Sequence, residues 1–412
     1  MRASRLVLAA GVAVVGLTLA ACSSGSGGSG DTSGRGPITY VQGKDNNNIV
    51  RPLIAQWNAK HPDQKVTFKE QSDNADDQHD DLVQHFQAKS TDYDVVDVDV
   101  VWTAEFAAKG WLQPLTGDMK IDTSKLLPAT VKTGTYNGTL YAAPQSSDGG
   151  LLYYRSDLVP TPPTTWDEMM ADCSIAKANG INCYAGQFAQ YEGLTVNVSE
   201  AINGAGGTVV DSKGKPTLTT ADAEKGLTQL VDAVKDGNIP QEALTFQEEQ
   251  GRTAFEAGKY LFMRNWPYAY SLATTDATSV VKDKFKVAPL VSASTLGGHN
   301  AAISQYSKHK ATAHDFLEFL ESESTQKYFA EKGSLAPVVA SLYTDPTLVK
   351  QLPYLPTLQQ SILKAVPRPV TPFYPAVTKA IEDNAYAALK GEVDPKTALS
   401  DMQKAIESAT AG

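Results

Sequence analysis

The chain has 412 residues, 42% of them hydrophobic and 20% charged, with a formal net charge of −10. Those are the proportions of an ordinary globular protein, long enough for two or three domains. An acidic balance with no basic cluster argues against nucleic acid or an anionic membrane surface as the main partner.

Arg2 and Arg5 precede an apolar run from Leu6 to Leu19, and Ala20, Ala21 and Cys22 follow it. Positive charge, a short apolar stretch and small residues make a secretory signal over 1–21, too short for a membrane span. A cysteine directly after the small residues resembles the bacterial lipobox, which implies that Cys22 is lipidated and becomes the mature N-terminus. The alternative is an ordinary signal peptide in which Cys22 merely happens to lie there. Residues 22–36 are then the anchor and a Ser/Gly leash that cannot bury a core. Loss of 1–21 removes two positive charges and no acid, taking the net charge from −10 to about −12. A second apolar stretch of spanning length is absent from the sequence, so the expected location is the outer face of the cell membrane, held by lipid alone.

The body opens with a strand at 37–42 and a polar loop at 43–48. A helix carrying Ile49, Leu53, Ile54 and Trp57 on one face comes next. Val66-Thr67-Phe68 is a second strand, and the polar cluster 72–77 caps a helix with Leu82, Val83 and Phe86. Residues 94–101 form a third strand, leading into a helix through Phe106. Strand, helix, strand, helix, strand implies a parallel, right-handed α/β sheet. In such sheets ligands sit beyond the carboxyl ends of the strands, here in the loops 43–48, 71–75 and 101–103.

Further on, a polar Gly-rich stretch at 145–150 joins two strands and reads as a crossing between domains. Residues 165–290 read as mainly helical, with breaks at 204–207 and 238–240 and a strand at 285–290. A second Gly-rich crossing is expected at 297–304, a third near Leu335-Ala336-Pro337, and a helical C-terminal quarter with Tyr386, Leu389 and Met402 in its core. With Cys22 assigned to the anchor, Cys173 and Cys183 remain as an even pair. In an oxidising compartment they are expected to form a disulfide; their spacing fits no zinc pattern.

This order of segments resembles the extracellular solute-binding proteins of ABC importers, most closely the trehalose/maltose branch. The residues that carry the likeness are Asp99-Val100-Val101-Trp102 with Phe106 and Gly110-Trp111-Leu112, Asp148 to Arg155, Phe262 to Tyr268, Gly297-Gly298 ahead of Ala302-Ile303-Ser304, and Arg368 to Pro372. The resemblance implies an α/β, two-lobed periplasmic-binding-protein-like fold of type II, with several interlobe crossings and a ligand cleft between the lobes. The lobes it implies are 37–147 plus about 291–335, and 148–290 plus about 336–412.

Position by position, Asp148 stands where the family has a hydroxyl-binding carboxylate, and Trp266 where it has a stacking aromatic. Gly298 matches a backbone contact. Asp99 and Trp102 fall at the strand end lining the cleft. Lys44, Asp45 and Asn46 match the first loop, and Arg368 a cleft-facing arginine. Two positions depart: Ser146 stands where these binders tend to have Tyr, and His299 where they tend to have Trp. Both favour an oligosaccharide other than trehalose or a differently shaped α-glucoside. The implied function is capture of a di- or oligosaccharide, of trehalose or maltose type, by a monomer that delivers it to an ABC permease without a cofactor or metal. Sugars fit this residue set because carboxylates accept from hydroxyls while aromatic rings stack on C–H faces.

Other readings stand beside these. Trp266 could be core, Asp148 a turn cap, and Arg264 a structural ion-pair residue. Glu105 could face the cleft or sit in the first turn of a helix. The acidic run 73–81 lacks the Gly and terminal Glu of a calcium loop. A secreted hydrolase using two carboxylates from Asp99, Glu105 and Asp148 is the enzymatic alternative; a binding protein for a non-sugar solute is the other.

Overall fold

A computed structural model describes residues 31–410; the expected signal segment and Cys22 lie outside the described residues. Its first strands are β1 (Ile38–Gln42), β2 (Val66–Glu70) and β3 (Val95–Asp99), with α1 (Val50–Lys60), α2 (Ala75–Gln87) and α3 (Thr103–Ala108) between and after them. β1 pairs in parallel with both β2 and β3. Val95, Val96 and Val98 are fully buried, as expected of a strand covered on both faces. Asn74 caps α2 by accepting from the N–H groups of Asp76 and Asp77, and the helix buries Leu82 and Phe86.

α4 (Pro128–Thr133) and the short pair β4 (Thr135–Tyr136) and β5 (Thr139–Leu140) lead to β6 (Ala142–Gly149). The polar segment 145–149, expected as a joint, is therefore strand. The change of sheet falls at Gly150, before β7 (Leu151–Arg155). Then come α5 (Trp166–Ala178), β8 (Asn182–Ala185), α6 (Glu192–Gly204), α7 (Ala221–Lys235), α8 (Glu248–Glu256), β9 (Tyr260–Asn265), α9 (Ala269–Thr275) and β10 (Phe285–Pro289). Two strands, β8 and β9, thus interrupt the stretch expected to be mainly helical. β9 is buried at every position, so its sequence shows no alternation that would mark it as a strand.

β11 (Thr295–Ile303) holds the Gly-Gly pair inside the strand, and the crossing expected at 297–304 lies instead at 290–294. The remaining elements are α10 (Lys310–Glu321), α11 (Glu323–Gly333), α12 (Pro346–Gln351), α13 (Leu355–Lys364), β12 (Val366–Pro367), α14 (Tyr374–Leu389) and α15 (Pro395–Thr410). Near the expected third crossing, Ala336 bridges to Ser147 and Val339 to Leu126. The chain then returns to β11 through β12 before α14 begins.

Two sheets result. One has the order β12-β11-β3-β1-β2, with β6 also pairing β11; the other has the order β10-β7-β9-β8. β11 runs antiparallel to β3 and β6, so the first sheet is mixed. Tyr153 and Tyr154 alternate on β7 and enter different hydrophobic clusters. α14 and α15 bury Ile381, Leu389, Leu399 and Met402 between them, while Tyr386 is only partly buried. Cys173 on α5 is bonded to Cys183 on β8. Among the described residues no helix is long and apolar enough to cross a membrane.

Candidate functional site

A cleft opens where the ends of β1, β3, β6 and β11 meet the starts of α6 and α8 and the end of β9. Asp45, Asn46, Asp99, Trp102 and Ser146 line it, as do Asp148, Trp266, Gly298, His299 and Arg368. All ten residues singled out in the sequence therefore share one cavity, though their local roles differ.

Asp45 is spent on the backbone. Its Oδ1 accepts from the Ile49 N–H at 3.1 Å and its Oδ2 from the Val50 N–H at 2.8 Å, opening α1. Trp102 is buried, and its ring lies 5.4 Å from that of His79, so most of its surface is core. Glu105 leaves the list of cleft candidates: it is buried against His79 Nε2 at 2.7 Å and Lys109 at 2.5 Å. Arg264 is a structural ion-pair residue, bidentate on Glu200 at 2.9 and 2.7 Å.

Asp148 is different. It is half-buried and has no hydrogen-bond partner among the described residues. Burial pushes its carboxyl up to about 7; His299 and Arg264 oppose that, and Asp99 and Asp97 add to it. Trp266 is also half-buried, its Nε1 reaching Glu248 Oε1 at 3.4 Å. The Arg264 guanidinium lies 3.7 Å from the centroid of its ring and covers one face. A Cβ on Gly297 would come within 2.9 Å of the same ring, so the missing side chain leaves room for it. Gly298 has φ +115°, and a Cβ there would lie 2.3 Å from the Ser146 carbonyl oxygen. Only glycine suits that turn of the strand, which carries a bulge at the next residue.

Arg368 is buried; both its terminal nitrogens are engaged by protein, while its Nε has no hydrogen-bond partner among the described residues. Nη1 donates to Glu192 Oε1 at 2.5 Å and Nη2 to Asp99 Oδ1 at 3.0 Å. Burial works against its charge, but Asp99, Tyr374 and Glu192 hold it firmly cationic. Two further bonds cross the cleft mouth: Asn47 to Ser271 at 2.7 Å, and the Glu192 N–H to Asp76 at 3.3 Å.

Sequence reasoning missed Asp97, Glu192 and Glu248. Glu248 accepts from the Tyr191 hydroxyl at 2.7 Å, and burial raises its carboxyl. Burial likewise raises Glu192, countered chiefly by Arg368. A signal existed for two of them. Asp97 shares a strand face with Asp99, two residues away. Glu192 opens a helix buried on nearly every side, where an acid must find partners.

The model of the family described as bacterial extracellular solute-binding protein matches residues 43–327. The chain belongs to that family. This solute-binding protein is 33% identical over 350 residues to a probable ABC transporter-binding protein of Deinococcus radiodurans, a match covering 78% of this chain and 80% of the relative. It superposes on the maltose-bound MalE3 of T. maritima with a TM-score of 0.86 and 33% identity, over 90% of this chain and 99% of that one. The GacH receptor of Streptomyces glaucescens shares the fold at 22% identity, with a TM-score of 0.82 over 92% of this chain and 99% of that one. Fold and relatives are those of the substrate-binding proteins of ABC transporters, and the protein is not an enzyme. The two-lobed periplasmic-binding-protein architecture and an extracytoplasmic location follow from the same membership.

Proposed function

We propose that this solute-binding protein captures a di- or oligosaccharide of the α-glucoside class and passes it to a membrane permease. The observation that carries the reading is Asp148, an unpartnered carboxylate facing the same cleft as the half-buried ring of Trp266. An ionised carboxylate can only accept, and sugar hydroxyls supply the donors; an indole face receives C–H groups. The likeness to MalE3, solved with maltose bound, supports a glucose-based ligand. Asp99, Asn46 and the Gly298 backbone complete the proposed contacts. Ser146 and His299, in place of two aromatic residues, favour maltose-like chains or another α-glucoside over trehalose.

Binding proceeds by lobe closure: contacts from both lobes exist only in the closed form, so ligand shifts the equilibrium toward it. A lipidated Cys22 holds the monomer near its permease. Calorimetry on the full chain in detergent tests the ligand class, with trehalose, maltose, maltodextrins, cellobiose, xylobiose and galactosides as titrants and amino acids and oligopeptides as controls. Binding within the α-glucosides is the expected result. Binding confined to an amino acid or peptide would discard the sugar and keep the family.

A further inference from the structure

Asp97 and Asp99 lie on one face of β3, because successive side chains of a strand alternate. His299 sits on the neighbouring strand β11, opposite Asp99 in the antiparallel register. Its Nδ1 lies 2.9 Å from Asp97 Oδ2. Asp97 is 5% exposed, and its Oδ1 has no hydrogen-bond partner among the described residues. A carboxylate so buried requires a cation, and His299 supplies it. The ring meets Asp97 through Nδ1 at ion-pair distance but outside hydrogen-bond geometry, and its Nε2 likewise has no hydrogen-bond partner among the described residues.

We infer that Asp97 is a positioning residue of the cleft, holding His299 as an imidazolium whose Nε2–H donates to a sugar hydroxyl. This rests on the sugar reading above and names the hydrogen-bond role that the ligand must fill. An imidazolium has two donors and no acceptor, whereas ionised Asp148 only accepts. A hydroxyl does both, so one sugar hydroxyl can donate a hydrogen bond to Asp148 while accepting one from His299. An aromatic residue at position 299 would offer a ring face instead.

The charged groups around His299 are Asp97 and Asp99 on β3 and Asp148 on β6, with Arg368 already on Asp99. Burial opposes its protonation. Asp97, Asp99 and Asp148 together outweigh that, Asp97 foremost, and the imidazole is pushed up to about 9.

The test compares Asp97→Asn with wild type, using the full chain in detergent. Proton–nitrogen spectra of the imidazoles follow His299, assigned through His299→Gln. The midpoint is expected to fall in Asp97→Asn from about 9 toward the ordinary value of roughly 6.5. Maltose and trehalose are the probes for affinity. The ratio of variant to wild-type Kd should stay under about twofold at pH 5.5 and reach roughly fivefold at pH 8, as the variant's His299 loses its charge. In His299→Gln, adding Asp97→Asn should leave that ratio independent of pH. A midpoint that does not move, or an equal loss of affinity at both pH values, would overturn the assignment. If wild type binds neither these probes nor any other sugar, the sugar reading fails and the hydroxyl role with it. A retained midpoint shift would then still fix Asp97 as the partner that charges His299.

Discussion

Asp99 at the end of β3 and Glu192 at the start of α6 share one guanidinium, that of Arg368. Its Nη2 reaches the first at 3.0 Å and its Nη1 the second at 2.5 Å. The Tyr374 and Thr378 hydroxyls complete Glu192, each at 2.6 Å. Arg368 follows β12 directly and so ties the first sheet to α6, which packs with α7 and α14. An arginine expected to donate to ligand instead has both terminal nitrogens on protein carboxylates.

Arg368→Ala should therefore lower the stability of the ligand-free protein. It leaves two acids without their cation, one of them buried, and such a loss costs about 3–5 kcal/mol. Glu192 can then escape the penalty by taking up a proton. The destabilisation should accordingly shrink as pH falls, which urea unfolding at pH 7.5 and pH 5 would reveal. A variant as stable as wild type at pH 7.5 would show the contact to be dispensable.

Trp266→Ala should weaken sugar binding by about 2 kcal/mol, roughly thirtyfold in Kd, since a half-buried aromatic loses its stacking surface. Thermal unfolding of the ligand-free protein should move little. A drop in apo stability matching the loss in affinity would mark the ring as core.

Asp148 gives a pH dependence whose sign can be worked out. Its carboxyl is raised from 3.8 to about 7, so between those values the folded protein binds more protons than the unfolded chain. Its contribution to stability therefore falls as pH rises through that window. Ionised Asp148 is the form that accepts sugar hydroxyls, so affinity should rise over the same interval. Asp148→Asn should stabilise the ligand-free protein near pH 8 and remove the rise in affinity. Calorimetry and thermal melts from pH 5.5 to pH 8 check both signs, and parallel trends would refute the assignment.

Cys173 and Cys183 should resist alkylation without reductant and react after it, read by mass spectrometry. Removing the bond with Cys173→Ser should cost about 2–3 kcal/mol, because it frees a short loop in the unfolded chain. Sugar affinity should be unchanged, since neither cysteine lines the cleft.

The sequence alone determined the parallel core β1–α1–β2–α2–β3, because hydrophobic period, capping residues and short loops are local properties. It also brought forward the ten cleft residues, since the order and spacing of their motifs survive as a family resemblance. Local pattern fell short where strands are buried on both faces: β8 and β9 show no alternation, and β6 and β11 carry polar and glycine residues inside the ladder. Only the tertiary structure decided what each cleft side chain has left to offer. Asp45 is held by α1, Arg368 by Asp99 and Glu192, and His299 faces Asp97, while Asp148 remains unpartnered. Those outcomes depend on partners from distant segments, whose distance and burial set both charge and availability.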